Sequence, residues 1–420
     1  MVRDISINLN NFFLSVSDAI DLSNPHISSH QMRTTYIAWQ LAKEALLPPE
    51  TIKKIYVAAL FHDIGALDSR EKRRLHAFEE SNILSHCVKG EKLFESIWLL
   101  KPAAKIIRYH HRPWKIWKKK GAQLTDPDVF ESQIVCLADY VERYLRRDIY
   151  VLHQVNQVIP QIQALAGEEI HAEVIDLFMV LASRDSFWLD IDHPRIYSLL
   201  LNNGPLEKVD VDLISVARLA TFFSHIIDFR SRFTATHSTG VSSAAVMIAR
   251  YFGLTEREVT FMHIAGSLHD LGKLAIPNKI LEKPGPLNKE EFQFLKQHVY
   301  HTYMILNSIE GFELISEWAA FHHERLDGTG YPFKLTAGDL SVGARIMAVA
   351  DVFTALTEAR PYREPLPREK VRLIMEKMAK EGAIDKVFVE LLFDHYEEIF
   401  RYVEDKKAVS LEKFEMYSRL

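Results

Sequence analysis

Two cysteines, Cys87 and Cys136, are all that 420 residues contain. So few, so far apart, imply no disulfide framework and point to a reducing, cytoplasmic compartment. Also missing is any apolar run near the roughly 18–20 residues that a membrane span needs. The longest, Val174 to Ala182, is broken by Asp176 and suits a core helix. The amino terminus carries Arg3 and Asp4 without the apolar stretch of a signal peptide. Net charge is only −5, so nothing global favours DNA or a membrane surface as a partner. No segment alternates with period two, which argues against a sheet.

What remains is ample for a core: 48% hydrophobic and 25% charged residues, enough for two or three domains. The 19 histidines are unusually many, and their spacing repeats. His30 precedes His62 by 32 residues, and His237 precedes His269 by 32. His86 precedes His110 by 24, and His298 precedes His322 by 24; each pair ends in a double histidine, His110-His111 and His322-His323. From His111 to Asp139 is 28 residues, as from His323 to Asp351. Apolar residues Phe12, Val16, Ala19 and Ile20 match Leu219, Phe223, Ile226 and Ile227 at an offset of 207. The chain reads as a tandem duplication, 1–190 and 208–420, with 191–207 as linker ending in the turn signal Asn-Asn-Gly-Pro205.

Helical periodicity runs through both repeats. Gln31 to Leu47 ends at Pro48-Pro49, and Val241 to Phe252 ends at Gly253, a favoured residue just past a helix. Thr255 and Glu258 form a capping-box pattern opening the helix that carries His269-Asp270. The expected fold is all-α, each repeat a helical bundle with its site in the middle.

In the second repeat the candidate metal ligands are His237, His269, Asp270, His298, His322, His323 and Asp351. Five imidazoles with two carboxylates suit a pair of first-row transition metals, Fe or Mn first and Ni or Zn next. Two such ions ready a water and neutralise charge on a phosphodiester. Lys273, three residues after Asp270, can reach the same cavity and hold a phosphate oxygen. Beyond His323 runs Glu-Arg-Leu-Asp-Gly-Thr-Gly330-Tyr331-Pro332, a glycine-rich loop suited to a substrate mouth or a docking surface.

These motifs, with Arg360-Pro-Tyr-Arg363, closely resemble the HD-GYP domains, bacterial phosphodiesterases of cyclic di-GMP within the HD phosphohydrolase superfamily. The resemblance covers roughly 212–400. It implies hydrolysis of cyclic di-GMP to linear pGpG, to GMP or to both, with His269, Asp270 and Lys273 at the chemistry. It further implies that the seven residues ligate metal. Lys273, Arg360 and Arg363 would contact phosphates, beside Gly330 and Tyr331. Arginine suits that task because its planar fork donates twice. The loop through Tyr331 would dock on diguanylate cyclase (GGDEF) domains. Two positions depart from the family: Phe233 replaces a glutamate that brings a third metal, so two are expected. Thr354 replaces an aspartate that orients a ligand, leaving that contact unassigned.

The first repeat keeps His30, His62, Asp63, His86, His110, His111 and Asp139, a second possible metal site. It has Ala66 in place of Lys273, no Gly-Tyr-Pro, and no Arg-Pro-Tyr-Arg, so it is not expected to run the same reaction. Its Trp114 to Lys120 stretch is expected as a loop with partly buried tryptophans; the alternative is a stacking surface for a nucleotide. His26 is a weaker candidate ligand, and His225, His263 and His395 are expected to be structural. Two alternatives stay open: a phosphodiesterase of cyclic GMP-AMP, or a non-catalytic binding module, with the first repeat as a sensor or homodimer surface.

Overall fold

The computed structural model describes residues 5–21, 29–66, 74, 76, 84–206, 209–229, 235–283, 285–359 and 364–418. They form two compact units, Leu9–Glu207 and a second made of Met1–Asn8 with Lys208–Arg419.

The first unit runs through α1 (Leu9–Asp21), α2 (His30–Glu44), α3 (Pro49–Leu60), α4 (Leu84–Glu95), α5 (Ala104–Tyr109) and α6 (Trp114–Lys119). It continues with α7 (Val129–Tyr144), α8 (Val151–Gln163), α9 (Ala172–Ala182), α10 (Asp185–Ile191) and α11 (Ile196–Asn203). Central α2 packs against α3, α7, α9 and α11. It stops at Glu44, and Pro49 opens α3, where its fixed φ suits a first turn. Helix α11 lies inside the stretch expected to be a linker. It belongs to the first unit because Ile196 and Leu200 are buried and the Asn10 side-chain amide donates to the Leu200 carbonyl at 3.0 Å.

The second unit opens with a two-stranded antiparallel ribbon, β1 (Ile5–Ile7) against β2 (Val209–Val211), with Ile5 opposite Val211. Apart from this ribbon, the regular elements among the described residues are helical; strands of three residues are too short to show alternation. The helices are α12 (Leu213–Asp228), α13 (His237–Phe252), α14 (Glu256–Leu268), α15 (Asn278–Leu281), α16 (Lys289–Leu295) and α17 (Gln297–Asn307). They continue with α18 (Glu313–Ala320), α19 (Val342–Thr357), α20 (Arg368–Lys380), α21 (Lys386–Asp394) and α22 (Tyr396–Ser418).

Helix α13 sits at the centre, against α14, α19 and α22. Its buried face is built from small residues, Ser238, Gly240, Ser242, Ala244 and Ala245, which let neighbouring helices approach closely. It ends at Gly253 in the left-handed region, φ 93°. Helix α14 begins with the Thr255–Glu258 capping box, both reciprocal bonds present. It ends at Leu268, so His269 is its C-cap and Asp270 lies beyond it, before a 3₁₀ turn over Leu271–Ala275. The His-Asp pair therefore sits at a helix junction and not within one helix as expected.

Candidate metal centre

Helix ends position the site. His237 is the first residue of α13, His298 the second of α17, and His322-His323 follow α18. Asp351 comes from the middle of α19. The start of α13 is fixed by Asp228, whose carboxylate accepts from the Ser238 amide at 3.0 Å and the Ser238 hydroxyl at 2.7 Å. In the first unit Asp21 accepts the Gln31 amide at 2.9 Å. These two aspartates lie 207 residues apart, a signal present in the sequence offset but not used.

Three imidazoles share one orientation device. Nδ1 of His269, His298 and His322 donates to the carbonyl three residues earlier, at 2.8, 2.7 and 2.7 Å. A carbonyl only accepts, so Nδ1 carries the proton and Nε2 presents a lone pair. Nε2 of His269 and of His298 is buried with no hydrogen-bond partner among the described residues.

Asp270 divides the cluster. Its Oδ2 faces Nε2 of His269 at 3.3 Å and of His237 at 3.7 Å, while Oδ1 faces Nε2 of His298 at 3.5 Å. Asp351 Oδ1 lies 3.3 Å from His237 and Oδ2 3.9 Å from His323. Ligand atoms of His237, His269 and Asp351 lie within 4.8 Å of one another, as do those of His298, His322 and His323. All seven expected residues thus form two adjoining donor groups with Asp270 between them.

Charge within the cluster is strongly biased. Burial opposes ionisation of Asp270 and Asp351, yet Lys273 and His269 hold Asp270 well below the usual carboxylate range, and His237 and His323 do the same for Asp351. Burial lowers His298 to about 3 and holds His322 well below its ordinary value, so both stay neutral. Burial also opposes charge on His237, but Glu358 and Asp351 outweigh it and push its pKa up to about 10. Buried lone pairs facing ionised carboxylates are a fit for divalent cations.

Lys273 pairs with Asp270 Oδ2. The carboxylate left unassigned by Thr354 comes from Glu358, whose Oε2 accepts from His237 Nδ1 at 3.0 Å. In the first unit the matching bond comes from Glu142, to His30 Nδ1 at 2.5 Å.

Gly272 lets the turn after Asp270 lie against α17: a Cβ there would stand 1.9 Å from the His298 carbonyl. Thr302 ties the two together, donating to the His269 carbonyl at 3.0 Å and accepting from the Gly272 amide at 2.9 Å. Gly330 is as constrained, since its Cβ would meet the Arg325 nitrogen at 2.4 Å. Buried Glu324 pins the loop by accepting the Phe333 and Leu335 amides at 2.6 and 3.1 Å. Tyr331 then lies 5.0 Å from the His323 ring, and His323, 31% exposed, marks the open side of the site. Arg360, Arg363, Phe233 and His26 lie outside the described residues.

The first unit repeats the arrangement. Asp63 Oδ2 faces His62 at 3.5 Å and His30 at 3.7 Å, while Oδ1 faces His86 at 3.4 Å and His110 at 3.9 Å. Asp139 Oδ1 lies 3.6 Å from His30, and Asp63, His86, His110 and His111 form a further donor group. With Ala66 replacing the lysine, the buried cation here is Arg143, donating to Asp139 at 2.9 Å. His76, missed in the sequence, faces Glu142 at 3.3 Å. The Trp114 stretch is helix α6, its tryptophans buried with Val129 and Tyr109, so it offers no stacking surface.

Residues 27–144 match an HD-domain family model, and residues 221–387 match a second HD-domain model. The chain is a tandem HD-domain protein. It is 29% identical over 405 residues, 94% of each chain, to 3'3'-cGAMP-specific phosphodiesterase 1 of Vibrio cholerae serotype O1. It is 31% identical over 301 residues to 3'3'-cGAMP-specific phosphodiesterase 3 of the same organism, covering 71% of this chain and 64% of that one. Over 168 residues it is 41% identical to the cyclic di-GMP phosphodiesterase response regulator RpfG of Xanthomonas campestris pv. campestris, covering 40% of this chain and 43% of that one. The crystal structure of a cyclic GMP-AMP specific phosphodiesterase from V. cholerae shares the fold, with TM-score 0.64 and 21% identity over 93% of this chain and 98% of that one. No described helix is long and apolar enough to cross a membrane.

Proposed function

We propose that the second unit is a divalent-metal phosphodiesterase of cyclic dinucleotides, hydrolysing cyclic di-GMP to linear pGpG, to GMP or to both. The observation that carries this reading is Asp270, whose two oxygens face different histidine groups while Lys273 pairs with it. His237, His269 and Asp351 would hold one cation, and His298, His322 and His323 the other, with Asp270 between. This donor set suits first-row transition metals, Fe or Mn being the proposed pair and Ni or Zn the alternatives. When bound, such a pair lowers the pKa of a water and neutralises charge on a phosphodiester.

The chain's own residues do the rest. Asp270 and Asp351 stay ionised and so present charge without a competing proton. Nδ1 anchoring keeps the rings of His269, His298 and His322 aimed inward. Lys273, partly exposed beside Asp270, is placed to hold a phosphate oxygen. Tyr331, beside His323, forms the mouth and is placed to contact a nucleotide. By resemblance, Arg360 and Arg363 would grip the outer phosphates, and the Tyr331 loop would dock a diguanylate cyclase domain in the cytoplasm.

A cyclic GMP-AMP substrate is favoured by one observation: the relative similar over nearly the whole length bears that specificity in its name. The first unit would hold cations too, but Arg143 on Asp139 replaces Lys273 on Asp270, and it is assigned no part in this reaction. The test is to incubate Mn(II)- or Fe(II)-loaded protein with cyclic di-GMP and 3'3'-cGAMP, separately and in competition, and to separate the products. Linear dinucleotide, mononucleotide or both are expected, and the faster substrate decides between the two. No turnover of either would overturn the proposal.

A further inference from the structure

Away from the metal cluster, α12, α13, α14 and α22 enclose a cavity of about 470 Å³ in the second unit. Sites for small molecules typically fall between roughly 300 and 1,000 Å³. The floor is polar: Ser224, His225, Ser242, Ser243 and Ser267 line it, and all are buried.

His225 is only 7% exposed. Its ring stacks on Phe229 at 5.6 Å with 4° between planes. Neither ring nitrogen meets a hydrogen-bond partner among the described residues. The side chain is almost buried while its ring nitrogens keep access to the cavity, so the imidazole is free to take a partner there. Its neighbour His263 is fully engaged, Nδ1 with the Ser242 hydroxyl at 2.8 Å and Nε2 with Thr221 at 3.0 Å.

One wall is apolar, from Ala217, Val246 and Val259. The rim carries Arg250, Lys406 and Lys413 against a single Glu256, a net positive mouth. An apolar wall, a row of hydroxyls and a cationic rim match a base, a ribose and a phosphate in turn. We propose that this cavity is a binding site for a nucleoside monophosphate. His225 and the serines would take the ribose hydroxyls, and the rim would take the phosphate. The site touches the metal-bearing elements: Ser242 and Ser243 lie on α13, which starts at His237, and Ser267 stands two residues before His269. That the nucleotide is a product of the chain's own reaction rests on the proposed function; the cavity and its lining do not.

The experiment titrates GMP and AMP into the full chain after metal removal by chelator, with inorganic phosphate and guanosine as controls. Chelation removes the cations from both clusters, and the rim variant below separates binding in this cavity from any that Lys273 still supports. One equivalent of mononucleotide per chain is expected, bound at least tenfold more tightly than phosphate or guanosine. The double variant K406E/K413E, changed only at exposed rim positions, should weaken it at least tenfold and leave turnover without added mononucleotide unchanged. No binding by the chelated protein would overturn the proposal. So would binding that the double variant leaves intact, or binding no tighter than phosphate alone. Because the titration needs no turnover, an inactive protein that still binds nucleotide refutes only the proposed reaction.

Discussion

Nδ1 of His237 donates to Glu358 at 3.0 Å, although Glu358 lies seven residues beyond Asp351. In the first unit Glu142, three beyond Asp139, serves His30. The same bond is thus made from two sequence positions, one of them at the C-cap of α19. A carboxylate on the far nitrogen fixes the ring and raises its basicity toward a metal. Glu358→Gln should therefore weaken metal binding roughly 10–100-fold, read by competition with a chromophoric chelator. Unchanged affinity would mean that the contact orients nothing.

Lys273 and Asp270 make the opposite case. Lys273 competes with a cation for the Asp270 carboxylate, so removing it should leave metal affinity equal or higher. If it also holds the substrate phosphate, Lys273→Ala should lower kcat/KM by roughly 10²-fold. Metal content and turnover measured on the same sample separate the two effects. Loss of metal together with activity would make Lys273 a structural partner of the ligand and nothing more.

Division of labour between the units follows from Ala66 and Arg143. His62→Ala should reduce metal content but leave cyclic dinucleotide turnover within about twofold, whereas His269→Ala should reduce both, with turnover falling by at least roughly 10³-fold. Equal loss of activity in the two variants would show that both clusters take part.

Acid should destabilise the second unit through His225 and His263. Burial lowers each from an ordinary value of 6.5 to about 4, with Lys413 and Lys406 adding to it. Between those limits the unfolded chain binds more protons, so stability is fully present above pH 6.5 and is lost as pH falls toward 4. His263 alone accounts for on the order of 3 kcal/mol of that loss. Thermal unfolding of metal-free protein from pH 7.5 to 4.5 should show a falling midpoint, and His263→Gln should flatten the fall. A slope unchanged by the substitution would place the titrating group elsewhere.

The ladder of ligands was legible because histidine and aspartate at repeated intervals leave a strong trace, and the structure gathers all fourteen positions into two clusters. The helix stops at Gly253 and the capping box at Thr255 were legible for local reasons, a left-handed residue and a side chain reaching its own helix. Glu358 was not, because it replaces a neighbour through a longer reach along α19. Nor was α11, whose role depends on Ile196 and Leu200 finding α1 and α2 far upstream. The β1–β2 ribbon joins segments about two hundred residues apart, where local pattern is silent. The cavity beneath α22 was hidden for a related reason: serine, threonine and histidine on a helix carry no mark of facing one another until the helices assemble.

The most direct measurement is diffraction from crystals of Mn-loaded protein at the manganese absorption edge. Two anomalous peaks roughly 3.5–4 Å apart are predicted in the second unit, one beside His237, His269 and Asp351, the other beside His298, His322 and His323, with Asp270 touching both. Manganese-loaded crystals with no peak among these side chains, or with peaks only elsewhere on the chain, would contradict the account.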